Sequence, residues 1–299
     1  MTNAPVAPIL VTGATGRVGR EVVDRLVAAA LPVRALTRQP DTAALPESVD
    51  VVAGDLSIPE SLDAALEGAG SVFLVWTAAP ATVKAVVERL ASHAARVVFL
   101  SSPHQTPHPF FQQPNPMANL HADIERQIAA AGLASTIIRP GMFASGAQLW
   151  WGEMIRARGV VRWPYGAAET APIDERDIAA VAARSLSDDA HAGGDYVLTG
   201  PESLSQADQV RVIGEVIGRE IRFEELSPEE FRHETAASWP APIVDMLLDA
   251  WRATISHPAF VTSTVADVTG VPARTFRQWV VDHAESFLKA PSSGETETR

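Results

Sequence analysis

The stretch Val11-Thr12-Gly13-Ala14-Thr15-Gly16-Arg17-Val18-Gly19 decides the fold: it joins a short apolar run to an amphipathic one through glycines at the spacing GxxGxxG. Glycine is required where a chain turns sharply, where backbone approaches a pyrophosphate, and where a helix packs closely on a strand. The helix that follows offers free N–H groups and the positive end of its dipole to an anion. Thr12, Gly13, Thr15, Gly16, Arg17, Val18 and Gly19 are therefore expected to cradle the phosphates of a dinucleotide.

The same alternation continues outward from this turn. Short Val/Leu/Ile-rich runs at 9–12, 33–36, 51–53, 71–75, 97–101 and 135–138 read as strands. Between them the stretches 17–30, 59–67, 81–94 and 117–131 read as helices, which is the βαβ pattern of a parallel sheet. Strands apolar almost throughout require helices on both faces, so the expected class is α/β, a doubly wound parallel Rossmann sheet. Six of the seven tryptophans fall after Pro140, at 150, 151, 163, 239, 251 and 279. A smaller, mainly helical substrate lobe is thus expected over 143–290, after a dinucleotide-binding domain at 1–142. Ser205 with Asp208, and Ser227-Pro228 with Glu230, are both read as N-caps with capping boxes at helix starts in that lobe. A helix at 174–186 and a strand at 195–198 are expected to return to the sheet, interleaving the two parts. The polar stretch 291–299 reads as a disordered tail.

The second strand ends in Leu36-Thr37-Arg38, and Arg38 lies nineteen residues beyond Gly19. An acid near this place binds the ribose hydroxyl of NAD, whereas an arginine suits a 2′-phosphate. NADP(H) is therefore the expected cofactor, with Arg17 as a second candidate cation. Asp55, within Gly54-Asp55-Leu56 after the third strand, is a candidate acceptor for the adenine amino group or else a residue of the helix start. Trp76 and Thr77 close the fourth strand, where the cofactor's ribose is expected to pass.

Composition excludes several alternatives. The 299 residues contain no cysteine, so disulfides, thiolate metal ligands and a catalytic thiol are absent. A net charge of −12 disfavours nucleic acid and anionic lipid as partners. The first ten residues lack a basic and then apolar leader, and no run reaches the length of a membrane span, so a cytoplasmic location is expected. His104 and His108 have no acidic residue near them in sequence, and no metal site is expected. A small hydrophobic substrate and, as a candidate, a second copy in a homodimer complete the expected partners.

Together, TGATGRVG, Arg38, Gly54-Asp55-Leu56 and Ile137-Ile138-Arg139-Pro140-Gly141-Met142-Phe143 resemble the NmrA-like group of atypical short-chain dehydrogenases/reductases, over most of residues 8 to 290. The resemblance implies that Pro140, Gly141, Met142 and Phe143 run beside the nicotinamide, and that substrate enters between the sheet and the C-terminal lobe. Many enzymes of that superfamily deliver a proton through Tyr-x-x-x-Lys. Here Met117 stands where the tyrosine is expected and His121 where the lysine is expected, while the only lysines are Lys84 and Lys289. His121 is the replacement candidate, as a neutral or cationic imidazole, against the alternative of a packed histidine. Ser101 and Ser102, closing the fifth strand, are candidates for orienting the substrate. Trp150, Trp151, Trp163 and Tyr165 are candidates for a hydrophobic substrate pocket, against the alternative of core packing. The function expected is an NADPH-dependent reductase of a carbonyl, enone or imine compound. A non-catalytic NADP(H) sensor is the second reading, and an isomerase or cyclase the third.

Overall fold

A computed structural model describes residues 7–288. The tail expected over 291–299 lies outside the described residues. The chain runs through β1 (Ile9–Val11), α1 (Arg17–Ala28), β2 (Val33–Thr37), β3 (Asp50–Ala53), α2 (Asp63–Leu66), β4 (Ser71–Val75), α3 (Val83–His93), β5 (Arg96–Leu100), α4 (Pro116–Ala130) and β6 (Ala134–Pro140). It continues through α5 (Gly146–Arg158), β7 (Val160–Pro164), β8 (Glu169–Thr170), α6 (Glu175–Ser187), β9 (Asp195–Leu198), β10 (Leu204–Ser205) and α7 (Gln206–Ile217). The last elements are β11 (Arg222–Leu226), α8 (Pro228–Thr235), α9 (Ala241–Ala253), α10 (Thr264–Thr269), α11 (Phe276–Asp282) and α12 (Ala284–Leu288).

Seven parallel strands form one sheet in the order β3-β2-β1-β4-β5-β6-β9. The chain reverses direction across the sheet between β1 and β4, and the carboxyl ends of those strands flank the crevice where a doubly wound sheet takes its ligand. In α1 the apolar spacing Val18, Val22, Val23 and Leu26 puts one face on the sheet, where it packs with α6 over Val11, Phe73, Val98 and Ile138. Leu66, Val86, Leu90, Ile124 and Ile128 of α2, α3 and α4 cover the other face against Leu10, Leu74, Val97 and Phe99. Both faces are covered, as the uninterrupted apolar strands require. Of the elements expected from sequence, 59–67 departs most: a 3-10 turn at Pro59–Leu62 precedes a single α turn, and Gly68 with φ +69° ends the stretch.

The returning segment is real, since β9 pairs with β6 at Ile138↔Tyr196 and α6 lies against α1. The C-terminal lobe has its own core, in which Trp151, Trp163, Phe231, Trp251 and Trp279 are buried together. Two small sheets, β7 with β11 and β8 with β10, stiffen it. Ser205 accepts the Asp208 N–H at 3.0 Å, but the capping box expected at both helix starts is completed only at Ser227, with Glu230. No helix among the described residues is long and apolar enough to cross a membrane.

Candidate functional site

The glycine turn is built in layers. Thr12 is buried, and its hydroxyl accepts the Val75 N–H at 2.8 Å while lying 3.1 Å from the Val75 carbonyl oxygen. It fastens β1 to β4, so its side chain is a strut inside the fold rather than a contact for a ligand. Gly13 takes φ +61°, a left-handed conformation open to glycine, and its carbonyl accepts the Gly16 N–H at 2.9 Å. Thr15, Gly16 and Arg17 are exposed at the rim, while Val18 and Gly19 are buried. Gly16 caps α1 without any side-chain hydrogen bond, which leaves the helix's first N–H groups facing outward. A Cβ built on Gly16 meets only the Gly13 carbonyl oxygen, at 3.2 Å, and otherwise projects into open space over the turn. An uncapped helix end beside a cradle that a side chain would fill is what a pyrophosphate requires.

The neighbouring strand ends complete the rim. Arg38 is exposed in the bend after β2, and no carboxylate among the described residues forms an ion pair with it. Thr77 is exposed beyond β4. Asp55 is half-buried, and one of its carboxylate oxygens accepts the Ser57 N–H at 2.8 Å, so it holds its own turn. Leu56 and Trp76 belong to the core under this rim, with the Trp76 indole donating to the Ala78 carbonyl at 2.7 Å. From those two positions only backbone is available to a ligand.

Further along the same edge, the ends of β5 and β6 border a cleft of about 220 Å³ walled by Phe110, Phe111, Met142, Met246 and Leu247, with Ser102, His104 and Pro140 on its rim. Asn115 starts α4 beside it, its side chain accepting the Met117 N–H at 2.9 Å and Pro116 supplying a preset first turn. Beneath lies a polar network that sequence reading passed over. Arg139 is 3% exposed and holds Glu125 through two hydrogen bonds of 2.7 and 2.8 Å and Asp195 through two of 2.6 and 3.2 Å. Burial opposes the Arg139 charge, but the hydrogen bonds and attraction of Asp195 and Glu125 outweigh it and raise its pKa. Ser101, a candidate for orienting substrate, is buried and donates its hydroxyl proton to Glu125, so it serves this network instead. The only signals in the sequence were Arg139 within the RPG run and Glu125 one helical turn after His121.

His121 lies on α4 with its ring edge-on to the buried Phe99, centroids 5.7 Å apart, and its Nδ1 is buried without a hydrogen-bond partner. Burial lowers its pKa to about 4; Glu125 opposes that shift, and His104 and Arg139 add to it. The imidazole is thus neutral near pH 7, which leaves the neutral form of the two expected from sequence. The unfolded chain takes up this proton below about pH 6.5 and the folded one only below about pH 4, so stability falls as pH drops through that window. The difference in unfolding free energy between pH 7 and pH 4.5 is expected to be about 2 to 3 kcal/mol smaller in His121→Gln than in the parent. Urea denaturation at both pH values checks this, and equal acid losses would contradict it.

Of the four aromatic residues expected to line a pocket, Trp151 is 1% exposed inside the lobe core and Tyr165 packs on the same core with φ +55°, whereas Trp150 and Trp163 line a separate cavity of about 660 Å³ together with Phe231 and Trp239. Trp150 is half-buried and stacks on Trp163 at 5.9 Å, away from the residues that wall the cleft. A lobe this rich in tryptophan must bury most of that area to be stable, which accounts for Trp151. The cleft is walled from the 103–116 loop and α9 instead, and the adjacent Phe110-Phe111 within a polar Pro/Gln loop was the available signal. Phe143 packs on the first core, its backbone bridged to Ile173, so of the Pro140–Phe143 run only Pro140, Gly141 and Met142 face the cleft.

Residues 13–189, more than half of the chain, match the NAD(P)H-binding family. A (4-alkanoyl-5-oxo-2,5-dihydrofuran-3-yl)methyl phosphate reductase of Streptomyces griseus subsp. griseus is 37% identical over 286 residues, covering 93% of this chain and 99% of its own. An NAD(P)H azoreductase of Xenophilus azovorans is 34% identical over 287 residues, with the same coverage. Among solved structures, an NADPH-dependent quinone oxidoreductase of Escherichia coli complexed with NADPH superposes with a TM-score of 0.78 at 22% identity, covering 92% of this chain and 99% of that one. The glycine turn on a seven-stranded parallel sheet and the family match over 13–189 lead to one conclusion: the chain is a member of the NAD(P)H-binding family of Rossmann proteins.

Proposed function

We propose that the protein is an NADPH-dependent reductase of a small hydrophobic compound carrying a carbonyl, enone or imine group. The observation that carries this reading is the placement of an apolar cleft on the same edge of the sheet as the uncapped glycine turn. When bound, the dinucleotide supplies a hydride. The chain's own residues do the rest: the first N–H groups of α1 hold the pyrophosphate, Arg38 takes a 2′-phosphate as a charge-assisted partner, and Gly13 and Gly19 keep the backbone close. Pro140, Gly141 and Met142 form the floor of the reaction site, while Phe110, Phe111, Met246 and Leu247 exclude water and hold an apolar substrate against it. The names of the relatives support this reading, since an oxo-dihydrofuran and an azo group both present a polarised or electron-poor double bond to a hydride.

One observation favours the sensor reading: Met117 and His121 stand where a proton-delivering pair is expected, and His121 is neutral. Following NADPH absorbance against a panel of quinones, enones, aldehydes and azo compounds separates the two. Consumption that depends on the added compound is the result expected, and tight NADPH binding with no consumption across the panel would replace the reductase with a sensor.

A further inference from the structure

We propose that the imidazole of His104 is the acid that protonates the substrate's oxygen or nitrogen as hydride arrives; this rests on the reductase reading above. Among the described residues that line the cleft, His104 is the only one with an acid–base side chain. Its ring is held in place rather than loose. Nδ1 lies 3.0 Å from the Ser102 carbonyl oxygen and donates its proton there, which leaves Nε2 as the second nitrogen, with the Gln105 side-chain nitrogen 3.5 Å away. The main chain of the residue is fixed too, by the Gln112 amide donating to its carbonyl at 3.3 Å.

The charged and titratable groups around the ring suit a proton that comes and goes. From α4, Glu125 places a carboxylate oxygen 3.8 Å from Nε2, within ion-pair reach of an imidazolium. From β6, Arg139 places Nη1 3.4 Å from Nδ1, and on its far side it is neutralised by Asp195 of β9. His121, also on α4, is kept neutral by burial. The other candidates are engaged elsewhere. Ser101 donates to Glu125, Lys84 is exposed and paired with Glu88, and the Tyr196 hydroxyl bonds His191 at 2.8 Å.

The step balances. Hydride adds to the electrophilic carbon or nitrogen, the π pair of the double bond moves onto the heteroatom, and that atom takes the Nε2 proton. For a carbonyl the product is an alcohol, and for an enone an enol that relaxes to the saturated carbonyl. The substrate gains two electrons from NADPH, which leaves as NADP+, and His104 regains its proton from water.

His104→Gln keeps a polar side chain of similar reach but cannot supply this proton. The expected result is a fall in kcat of about 10² to 10⁴-fold. NADPH affinity and KM are expected to stay within about threefold. The alkaline limb of the parent's kcat profile should vanish in the variant. Without any dinucleotide, affinity for para-nitrophenolate, a flat aromatic oxyanion, should drop about tenfold as its charged partner is lost. His104→Asn, which keeps an amide donor toward Ser102, should behave alike, so that misfolding of one variant does not decide the matter. An active parent whose kcat, pH profile and phenolate affinity survive both substitutions would overturn the assignment while leaving the reductase intact. A parent that binds NADPH and reduces nothing would overturn both.

Discussion

Arg139→Ala is expected to lower the free energy of unfolding by about 3 to 5 kcal/mol, the cost of leaving buried charge without its partner. The guanidinium is the centre of four side-chain hydrogen bonds that join α4, through Glu125, to β9, through Asp195. A fifth, at 3.1 Å, reaches the Ser102 carbonyl at the end of β5. Removing the guanidinium strands the Glu125 carboxylate in a largely buried site with only Ser101 and His104 near it. It also frees the last paired strand of the sheet from the cleft's polar base. Urea unfolding of the parent and variant at pH 7 measures the difference. A loss below about 1 kcal/mol, the worth of a surface ion pair, would show that the network contributes little.

The second large effect separates two glycines of one motif. A Cβ on Gly19 would lie well inside contact distance of the Gly13 carbonyl oxygen, 2.7 Å from its carbon and 3.1 Å from the Cα of Ala14, all of it backbone that cannot swing aside. Gly19→Ala is therefore expected to push α1 off the turn and cost about 3 kcal/mol or more. Gly16 has φ −81° and open space above it, so Gly16→Val should leave the fold's stability within about 1 kcal/mol and fill the phosphate cradle. Thermal unfolding with NADPH fluorescence titration reads both effects. Equal melting losses, or full NADPH binding by Gly16→Val, would place the cradle elsewhere.

How far the sequence foretold this arrangement follows from the range of the interactions. The glycine turn, Arg38 and the alternating apolar runs are local signals, and the sheet they imply is the one observed, including the return of 195–198 to pair with β6. The caps at Ser205 and Ser227 were legible because a cap is fixed by residues three apart. The cleft was not. Trp150, Trp151 and Trp163 advertised apolar area but not the direction it faces, which is set by Phe231 and Trp251 far along the chain. Ser101 looked available, but its hydroxyl donates a hydrogen bond to Glu125, twenty-four residues later. Which charge state His121 carries was not legible, because burial beside Phe99, which lowers its pKa, comes from a residue twenty-two positions away.

A dinucleotide held on the glycine turn, with Arg38 reading the 2′-phosphate, is tested by calorimetric titration of the parent and Arg38→Ala with NADPH and NADH. The parent should bind NADPH more tightly than NADH, and Arg38→Ala should lose about 1.5 to 3 kcal/mol for NADPH and little for NADH. Equal affinities in the parent, or an Arg38→Ala variant that still prefers NADPH to the same degree, would contradict the account.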